Sequence, residues 1–226
     1  MSKDYPIKKV HGFEIEPKVF NKFLSKVLKA NEFELKSLHI KTNRFDIIKP
    51  GALILSRIMK KFDVKKLMAS GVGVREGVYL SDLLRNSKDK LPLNYNTSVR
   101  YILDSHVEDL AYANQLTKVT KQLFDLTHKN LNLDKKYRHE LAIASKLFTC
   151  GASMHFYSQY RQSYNLVIDA LEFGFTHKQI ILIATLVKYA NRKNPSGSHI
   201  DKFESLLPKN DVLNSLNYLL SLGIIL

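Results

Sequence analysis

The sequence predicts a mainly α-helical protein made of a mixed α/β N-terminal part and an all-helical C-terminal part. Residues 1–87 combine helix and strand patterns, whereas every segment after Ser98 has helical periodicity. Residues 86–96 are polar, contain Pro92 and lack periodicity, which is typical of a linker. We therefore predict two domains, residues 1–87 and residues 88–226.

The N-terminal part owes its predicted elements to apolar spacing, proline and glycine. Residues 8–15 alternate loosely with period two and predict a strand. Glu16-Pro17 predicts a helix start, because proline is favoured in the first helical turn, and Pro50-Gly51 predicts the start of a second helix for the same reason. The remaining predicted elements are a strand at 65–69, a glycine turn at 70–73 and a helix at 74–84.

The C-terminal part contains seven predicted helices. Gly174 predicts a helix stop and Thr176 the N-cap of the next helix, whose apolar run at 180–187 has the length of a buried helical segment. Residues 194–197 (NPSG) predict a loop. The predicted helices span about 98–104, 107–129, 134–153, 157–173, 176–192, 198–206 and 210–222.

Composition indicates a folded protein with a polyanionic partner. The 226 residues include 35 Lys and Arg against 21 Asp and Glu, a formal charge of +14, and 45% are hydrophobic, which excludes wholesale disorder. Nucleic acid is the default polyanion, but no RNA-recognition, KH or zinc-finger signature occurs. The net charge therefore predicts that the partner is negatively charged, but it does not identify the partner.

Location is predicted to be cytoplasmic, with no membrane partner. The longest apolar run, residues 180–187, is far shorter than the roughly 18 residues of a membrane span, and no apolar segment follows the N-terminal lysines as in a signal peptide. The single cysteine, Cys150, cannot form an internal disulfide, which fits a reducing compartment. The apolar end at 221–226 predicts a piece of a longer protein.

A glycine-rich turn is the most specific local pattern. Gly71, Gly73 and Gly77 lie between a predicted strand and a predicted helix, where backbone N–H groups and the helix dipole can hold a phosphate. The spacing is one residue too long for the dinucleotide fingerprint, and no Walker A lysine follows. The alternative is a tight structural turn that requires glycine for a positive φ angle and for close packing.

Arg44 is the second candidate, because it precedes a predicted helix start. Its guanidinium could reach an anion bound in a cleft; alternatively, it forms a surface pair with Asp46. Cys150 could be a nucleophile only with a nearby base, so we favour a buried structural thiol. The scattered histidines, without a His-Asp pair or an HExxH motif, predict no metal site in this chain.

Three segments together resemble the exopolyphosphatase/guanosine pentaphosphate phosphohydrolase (Ppx/GppA) family. Residues 43–55 (NRFDIIKPGALIL) resemble its R-x-D-I-I-x-x-G-A-x-I-L segment. Residues 70–84 resemble its S-x-x-G turn and R-E-G helix, and residues 183–193 (IATLVKYANRK) are similar to its A-x-L-V-R-Y-H-R-K helix. The upstream residues 11–15 (HGFEI) also resemble the segment that enters this region, so the resemblance covers nearly the whole chain.

The resemblance implies a fold and a phosphate site. Family members begin with two actin-like (ribonuclease-H-like) α/β lobes, so residues 1–87 would be the C-terminal part of the second lobe, and residues 88–226 an all-α HD-like domain. The family's second-lobe arginine matches Arg44, and its motif residues match Arg75, Gly71 and Gly73. These four are the phosphate-binding residues that the resemblance implies. For Arg75, and for Glu76, which also matches the motif, the alternative is a structural role that ties the helix to the turn. No residue of this chain matches a catalytic role.

Catalysis, by this resemblance, belongs to the complete enzyme. The missing N-terminal lobe would carry the general base and the acids for a divalent metal, expected to be Mg²⁺, with no cofactor in this chain. Thr149-Cys150 stands where the HD-like domain can carry a metal-binding pair, so that metal site would be degenerate here. The isolated chain is therefore expected to be inactive.

Two functions remain open from the sequence. The first is a portion of a phosphohydrolase that releases terminal phosphate from polyphosphate or from pppGpp, with a possible homodimer contact through the helical domain. The alternative is a non-enzymatic binding or regulatory module for polyphosphate, (p)ppGpp or RNA. Of these ligands, the Arg44 and Arg75 motifs favour a chain of phosphates.

Overall fold

A computed structural model describes residues 5–85 and 96–226 and is mainly α-helical, as predicted. Contacts divide the chain into two compact units. We call residues 13–71 the small unit, and residues 1–12 together with 72–226 the helical unit. The predicted boundary at 87/88 and most of the predicted linker lie outside the described residues. The actin-like and HD-like assignments, and that boundary, stay predictions.

The small unit contains a two-stranded antiparallel sheet and three helices. Strand β1 (Glu14–Ile15) pairs with β2 (Leu67–Met68), so that Glu14 lies opposite Met68. The helices are α1 (Pro17–Lys29), α2 (Glu32–Ser37) and α3 (Phe45–Lys61), with a 3₁₀ turn at Thr42–Arg44. Their apolar faces form one core of Leu24, Val27, Ala30, Leu35, Ala52 and Met59.

Two predictions in the small unit were wrong in their boundaries. Helix α3 begins at Phe45 rather than at Pro50, because Phe45 and Ile48 pack against the core and extend the helix toward its N-terminus. Pro50 lies inside α3, where it removes a single backbone hydrogen bond. The predicted strand at 8–15 is reduced to β1, because Gly12 adopts a left-handed φ of 78° that interrupts the extended chain.

Helix α2 was not predicted, although the sequence contains a signal for it. The Asn31 side chain accepts a hydrogen bond from the Glu34 N–H at 2.9 Å, and the Glu34 carboxylate accepts one from the Asn31 N–H at 2.8 Å. This capping box satisfies two backbone donors at the helix N-terminus. The helix is too short for the apolar periodicity that identified the others.

Eight helices of the described residues belong to the helical unit, and helix α9 lies at the centre of its core. Nearly all of α9 is buried, and it packs against α7, α8 and α11, which explains the apolar run at 180–187. Gly174, at φ 79°, precedes its N-cap Thr176, as predicted. The helices are α4 (Val74–Leu83), α5 (Thr97–His106), α6 (Leu110–Thr127), α7 (Tyr137–Lys146), α8 (Gln159–Ala170), α9 (His177–Tyr189), α10 (Gly197–Lys202) and α11 (Asn210–Ile225).

The N-terminal segment, residues 5–12, is part of the helical unit. Ile7 is buried against Ile181, Phe203 and Leu206. The ammonium of Lys9 donates hydrogen bonds to the carbonyl groups of Asp169, at 2.8 Å, and Leu171, at the C-terminal end of α8. A cation at this position complements the negative end of the helix dipole. The segment is therefore fixed by apolar burial and by polar contacts.

His177, in the first turn of α9, adds two polar contacts to the same segment. Its Nε2 lies 2.9 Å from the His11 carbonyl oxygen, which can only accept, so Nε2 donates this hydrogen bond. Its Nδ1 lies 2.8 Å from the Tyr5 hydroxyl.

Among the helices of residues 5–85 and 96–226, none combines the length and hydropathy required to cross a bilayer.

Candidate functional site

The predicted glycine turn forms the N-terminus of α4. Gly73 is the N-cap, and its N–H donates a 2.8 Å hydrogen bond to the Glu76 carboxylate, as in a capping box. The Glu76 backbone N–H, followed by this bond from Gly73, lowers the pKa of the Glu76 carboxyl. A negative group of the chain itself therefore already lies at this helix N-terminus, where a phosphate was predicted.

Positive φ angles do not explain the glycines of this turn. Gly73 has a φ of −112°, and a Cβ atom added to it would meet only the Glu76 carboxylate, at an ordinary 3.5 Å. A Cβ atom added to Gly77 would meet no atom within 4 Å outside the neighbouring backbone of its own helix. The glycines that adopt a left-handed φ in the described part of the chain are Gly12 and Gly174. A positive φ angle, one of the two reasons for the structural alternative, is therefore wrong for this turn, and the second reason, close packing, does not apply at Gly73 and Gly77.

The four predicted phosphate-binding residues are exposed and divide between the two units. Arg44 and Gly71 belong to the small unit, whereas Gly73 and Arg75 belong to the helical unit. Arg44 is the N-cap residue of α3, and Arg75 lies in the first turn of α4. Each arginine thus stands beside a helix N-terminus with its side chain accessible to a ligand.

The alternative explanation of Arg44, a surface pair with Asp46, is not observed. No salt bridge within 4.0 Å joins the two side chains, both of which lie in the described residues. The exposed pairs of the small unit are Lys65 with Asp63 and Lys66 with Glu14. The position of Arg44 is therefore compatible with an anion contact.

Cys150 is a buried structural residue, as favoured from the sequence. Its side chain is fully buried, and burial raises the pKa of the thiol to about 11. The thiolate needed for nucleophilic attack is therefore scarce at neutral pH. His155, the nearby histidine, is exposed, and its Nδ1 accepts a hydrogen bond from the Ser158 N–H.

In the part of the chain that the structure describes, no three His, Cys, Asp or Glu side chains form a metal-binding group.

A basic pocket of about 370 Å³ lies between α8 and the C-terminal end of α9. Four cationic side chains line it, and none of the described residues that line it is Asp or Glu. Positive charge is thus concentrated in a concave site rather than spread over a helix face. The lining residues are Tyr160, Arg161, Tyr164, Asn165, Lys188, Tyr189, Arg192 and Lys193.

Tyrosine rings hold two of these cations in place. The Lys188 ammonium lies 4.5 Å from the centroid of the Tyr164 ring and 5.2 Å from that of Tyr189. The Arg192 guanidinium lies 3.4 Å from the centroid of Tyr160. Cation–π contacts of this kind fix a cation without neutralising it. Burial raises the pKa of Tyr164 to about 12, so its hydroxyl remains a hydrogen-bond donor.

His199 of α10 lies next to the same tyrosines and is uncharged at neutral pH. Its ring is 5.7 Å from Tyr164 and 5.2 Å from Tyr189 between centroids, and its Nε2 forms a 2.9 Å hydrogen bond with the Thr185 hydroxyl. Burial, followed by the charges of Lys188 and Lys202, lowers its pKa to about 4. The positive charge near the pocket therefore comes from Lys and Arg alone.

The basic pocket was not predicted, although the sequence carries a partial signal for it. Lys188 and Arg192 are four residues apart, and so are Tyr160 and Tyr164, which places each pair on one helical face. Nothing in the sequence indicates that α8 and α9 bring these two faces together. The predicted sites were drawn instead from glycines and from motif arginines.

Two family models match the chain. One, the Ppx/GppA phosphatase family, matches residues 1–86, and the other, Ppx/GppA phosphatase, domain III, matches residues 96–226. The second match alone covers more than half of the 226 residues. It includes every residue that lines the basic pocket, from Tyr160 to Lys193. No curated protein matches the chain.

Proposed function

Because the chain belongs to the Ppx/GppA phosphatase family, we propose that it forms part of a phosphohydrolase that acts on polyphosphate or pppGpp. In this proposal, the helical unit binds the phosphate chain of the substrate in the basic pocket. The single observation that carries the proposal is the set of four cations, with no carboxylate among the described residues of that pocket.

The chemistry of the lining residues suits phosphate oxygens. Arg161 and Arg192 carry planar guanidinium groups that can donate two parallel hydrogen bonds to one phosphate, whereas Lys188 and Lys193 supply compact positive charges. The Tyr164 hydroxyl and the Asn165 amide offer neutral donors in the same pocket. A linear polyanion could therefore contact several donors at once without meeting a negative side chain.

The pocket residues do not fit the divalent metal that the family resemblance implies. Mg²⁺ prefers carboxylate and carbonyl oxygens, and the side chains that line this pocket are mostly cationic or phenolic. Their role is therefore to hold and orient phosphate. We assign the general base, and the metal that would stabilise the developing charge, to the first actin-like lobe of a complete enzyme.

The motif residues of the resemblance complete the proposal. Arg44 and Arg75 are exposed arginines at helix N-termini, and we propose that each of them, in its own unit, contacts a phosphate group. Gly71 and Gly73 would each allow close approach of the backbone to a phosphate. At Gly73 a phosphate would compete with the Glu76 carboxylate for the backbone N–H.

Removal of pocket charge tests the proposal. We expect Arg161→Gln/Lys188→Gln to weaken binding of tripolyphosphate by roughly tenfold or more, since hydrogen bonds to charged groups contribute about 1.5–3 kcal/mol each. The matched control is Lys118→Gln/Lys129→Gln, which removes the same charge outside the pocket and should change the affinity by less than about threefold. Isothermal titration calorimetry at constant ionic strength measures both affinities.

Three outcomes would contradict the proposal. Equal loss of affinity in the two double variants would show that only net charge matters. Tighter binding of RNA than of polyphosphate at the same salt concentration would favour the alternative of a nucleic-acid-binding module. Release of phosphate from polyphosphate by the purified chain with Mg²⁺ would overturn the assignment of the catalytic groups to another lobe.

A further inference from the structure

Two of the four cations that line the basic pocket, Arg192 and Lys193, belong to the turn that follows α9 rather than to a helix. Helix α9 ends at Tyr189. The other two cations, Arg161 of α8 and Lys188 of α9, have their backbone fixed by helical hydrogen bonds. The placement of half of the positive charge of the pocket therefore depends on the conformation of a turn.

The turn after α9 is built around Asn191. This residue adopts a left-handed φ of 56°, which asparagine tolerates better than most residues and which does not continue the helix. The N–H groups of Arg192 and Lys193 both donate to the Tyr189 carbonyl oxygen, each at 3.2 Å. In this turn, the Arg192 guanidinium lies 3.4 Å from the centroid of the Tyr160 ring.

Two side chains of α11 hold this turn from outside α9. The Ser221 hydroxyl accepts a hydrogen bond from the Asn191 N–H at 2.8 Å and donates one to the Asn217 carbonyl oxygen at 2.7 Å. The amide group of Asn217, a buried residue, donates to the Lys193 carbonyl oxygen at 3.2 Å. Helix α11 thus contacts the backbone of the residues directly before and directly after Arg192.

The bond from Asn191 to Ser221 matters more for order than for stability. Asn191 is exposed, so water can replace the Ser221 hydroxyl as the acceptor, and the net contribution of such a bond to folding is small. Water does not restrict the turn to one conformation, however. A turn that is already fixed before the ligand arrives spares the binding step the entropy of ordering it.

We propose that Ser221 and Asn217 are positioning residues of the phosphate site. They fix the turn at 190–194, so that Arg192 and Lys193 line the basic pocket before a phosphate chain binds. This inference rests on the proposed function, because it assumes that the pocket binds phosphate. It extends that function to α11, a helix that contributes no residue to the described lining of the pocket.

Titration of tripolyphosphate against variants of α11 tests this inference. We expect Ser221→Ala to weaken binding roughly fivefold or more, the factor that corresponds to the entropy of ordering about one residue. Asn217→Leu, which replaces the buried amide by an apolar side chain of similar size, should have the same effect. The control, Ser25→Ala, removes a helical hydroxyl that donates to the Asn21 carbonyl of its own helix, and should leave the affinity unchanged.

A double-mutant cycle distinguishes positioning from a general structural role. Arg192→Gln/Lys193→Gln should itself weaken binding by roughly tenfold or more. In that background, Ser221→Ala should change the affinity by less than about twofold, because the charges that it positions are already absent. A variant that merely loosened the fold would lower the affinity by the same factor in both backgrounds. Circular dichroism verifies that each variant is folded at the temperature of the titration.

The outcomes separate this inference from the proposed function. The inference is overturned, while the proposed function stands, if Arg192→Gln/Lys193→Gln weakens binding but Ser221→Ala and Asn217→Leu do not. Equal losses for Ser221→Ala in the two backgrounds would also overturn it. The proposed function fails instead if the double variant designed to test it binds tripolyphosphate as well as the unmodified chain does.

Discussion

Gly151 shows at the residue scale how closely two elements approach in the helical unit. A Cβ atom at this position would lie 2.3 Å from the Gln159 carbonyl oxygen and 2.3 Å from the Ser163 backbone nitrogen. The Gly151 N–H donates a 2.8 Å hydrogen bond to the Ser163 hydroxyl, which itself donates to the Phe148 carbonyl. The start of α8 thus packs directly against the backbone that follows α7, beside the buried Cys150.

Gly151→Ala should therefore destabilise the protein strongly. Because the obstructing atoms belong to the backbone and cannot rotate away, we expect the free energy of unfolding to fall by at least about 3 kcal/mol. Urea denaturation followed by circular dichroism measures the change. Gly197→Ala is the control, since no atom lies within 4 Å of its added Cβ, and its effect should stay within about 0.5 kcal/mol. Similar stability of both variants would contradict the close approach.

Burial of Cys150 could be predicted from the sequence, but the requirement for Gly151 could not. A lone cysteine in an apolar, helical setting is usually buried, so residue type was sufficient. The need for glycine depends on which part of α8 lies next to it, and that contact joins residues with no sequence signal between them. Likewise, the sequence suggested that the glycines of the α4 turn adopt a positive φ angle, but Gly73 has a φ that any residue can adopt.

The N-terminal segment gives the clearest test at the scale of elements. Residues 5–12 form no regular helix or strand, yet Ile7 fills a core site against α9 and the end of α10. Ile7→Ala should lower the free energy of unfolding by about 2–5 kcal/mol, as for other buried large-to-small substitutions. Thermal denaturation monitored by circular dichroism provides the measurement.

Val10→Ala is the matched control for this segment. Val10 is three residues away and exposed, so the same type of truncation should change stability by no more than about 0.5 kcal/mol. If Ile7→Ala had an effect equally small, the segment would not be part of the folded helical unit. Comparison of the two variants thus shows whether the buried side chain of the segment contributes to the stability of the helical unit.

Most helices could be predicted because their signals are local. Pro17 and the capping residue Thr176 mark helix starts, and the seven predicted C-terminal segments each overlap one observed helix, α5 to α11. The strand predicted at 8–15 failed because its alternation reflects packing of an irregular segment rather than pairing. Helix α3 began earlier than predicted, because tertiary packing of Phe45 outweighed the local preference for proline at a helix start.

Net charge acts at the scale of the whole molecule. The formal charge of +14 creates a long-range field that attracts any polyanion, whereas the proposed function assigns the short-range contacts to the pocket. The Debye length falls from about 30 Å at 0.01 M to about 10 Å at 0.1 M ionic strength. Long-range attraction is therefore largely screened over this interval, but contacts inside the pocket are screened much less.

We accordingly expect salt to change association of tripolyphosphate more than its dissociation. Between 0.01 and 0.1 M ionic strength, the association rate constant should fall by roughly tenfold, and the dissociation rate constant should change by less than about threefold. Stopped-flow measurements resolve both rates. An association rate independent of salt would show that the net charge does not guide the ligand to the site.

The candidate site could be predicted only in part at this scale. Charge composition indicated a polyanion, and the family resemblance, which the family matches confirm, led us to predict a phosphate chain as the ligand. The pocket itself could not be predicted, because it requires α8 and α9 to lie side by side so that Arg161 and Lys188 meet. Periodicity assigns a residue to a helix face and does not say which helix that face will contact.

The position of residues 5–12 makes the helical unit discontinuous along the chain. Its first segment precedes the small unit along the chain, but α9 and the residues just after α10, against which Ile7 packs, follow the small unit. The N-terminal segment can therefore reach its packing partners only after α9 and α10 have been synthesised. A protease cut inside residues 13–71 would leave two fragments held together by Ile7, Lys9 and His177, so the cleaved protein should still purify as one particle.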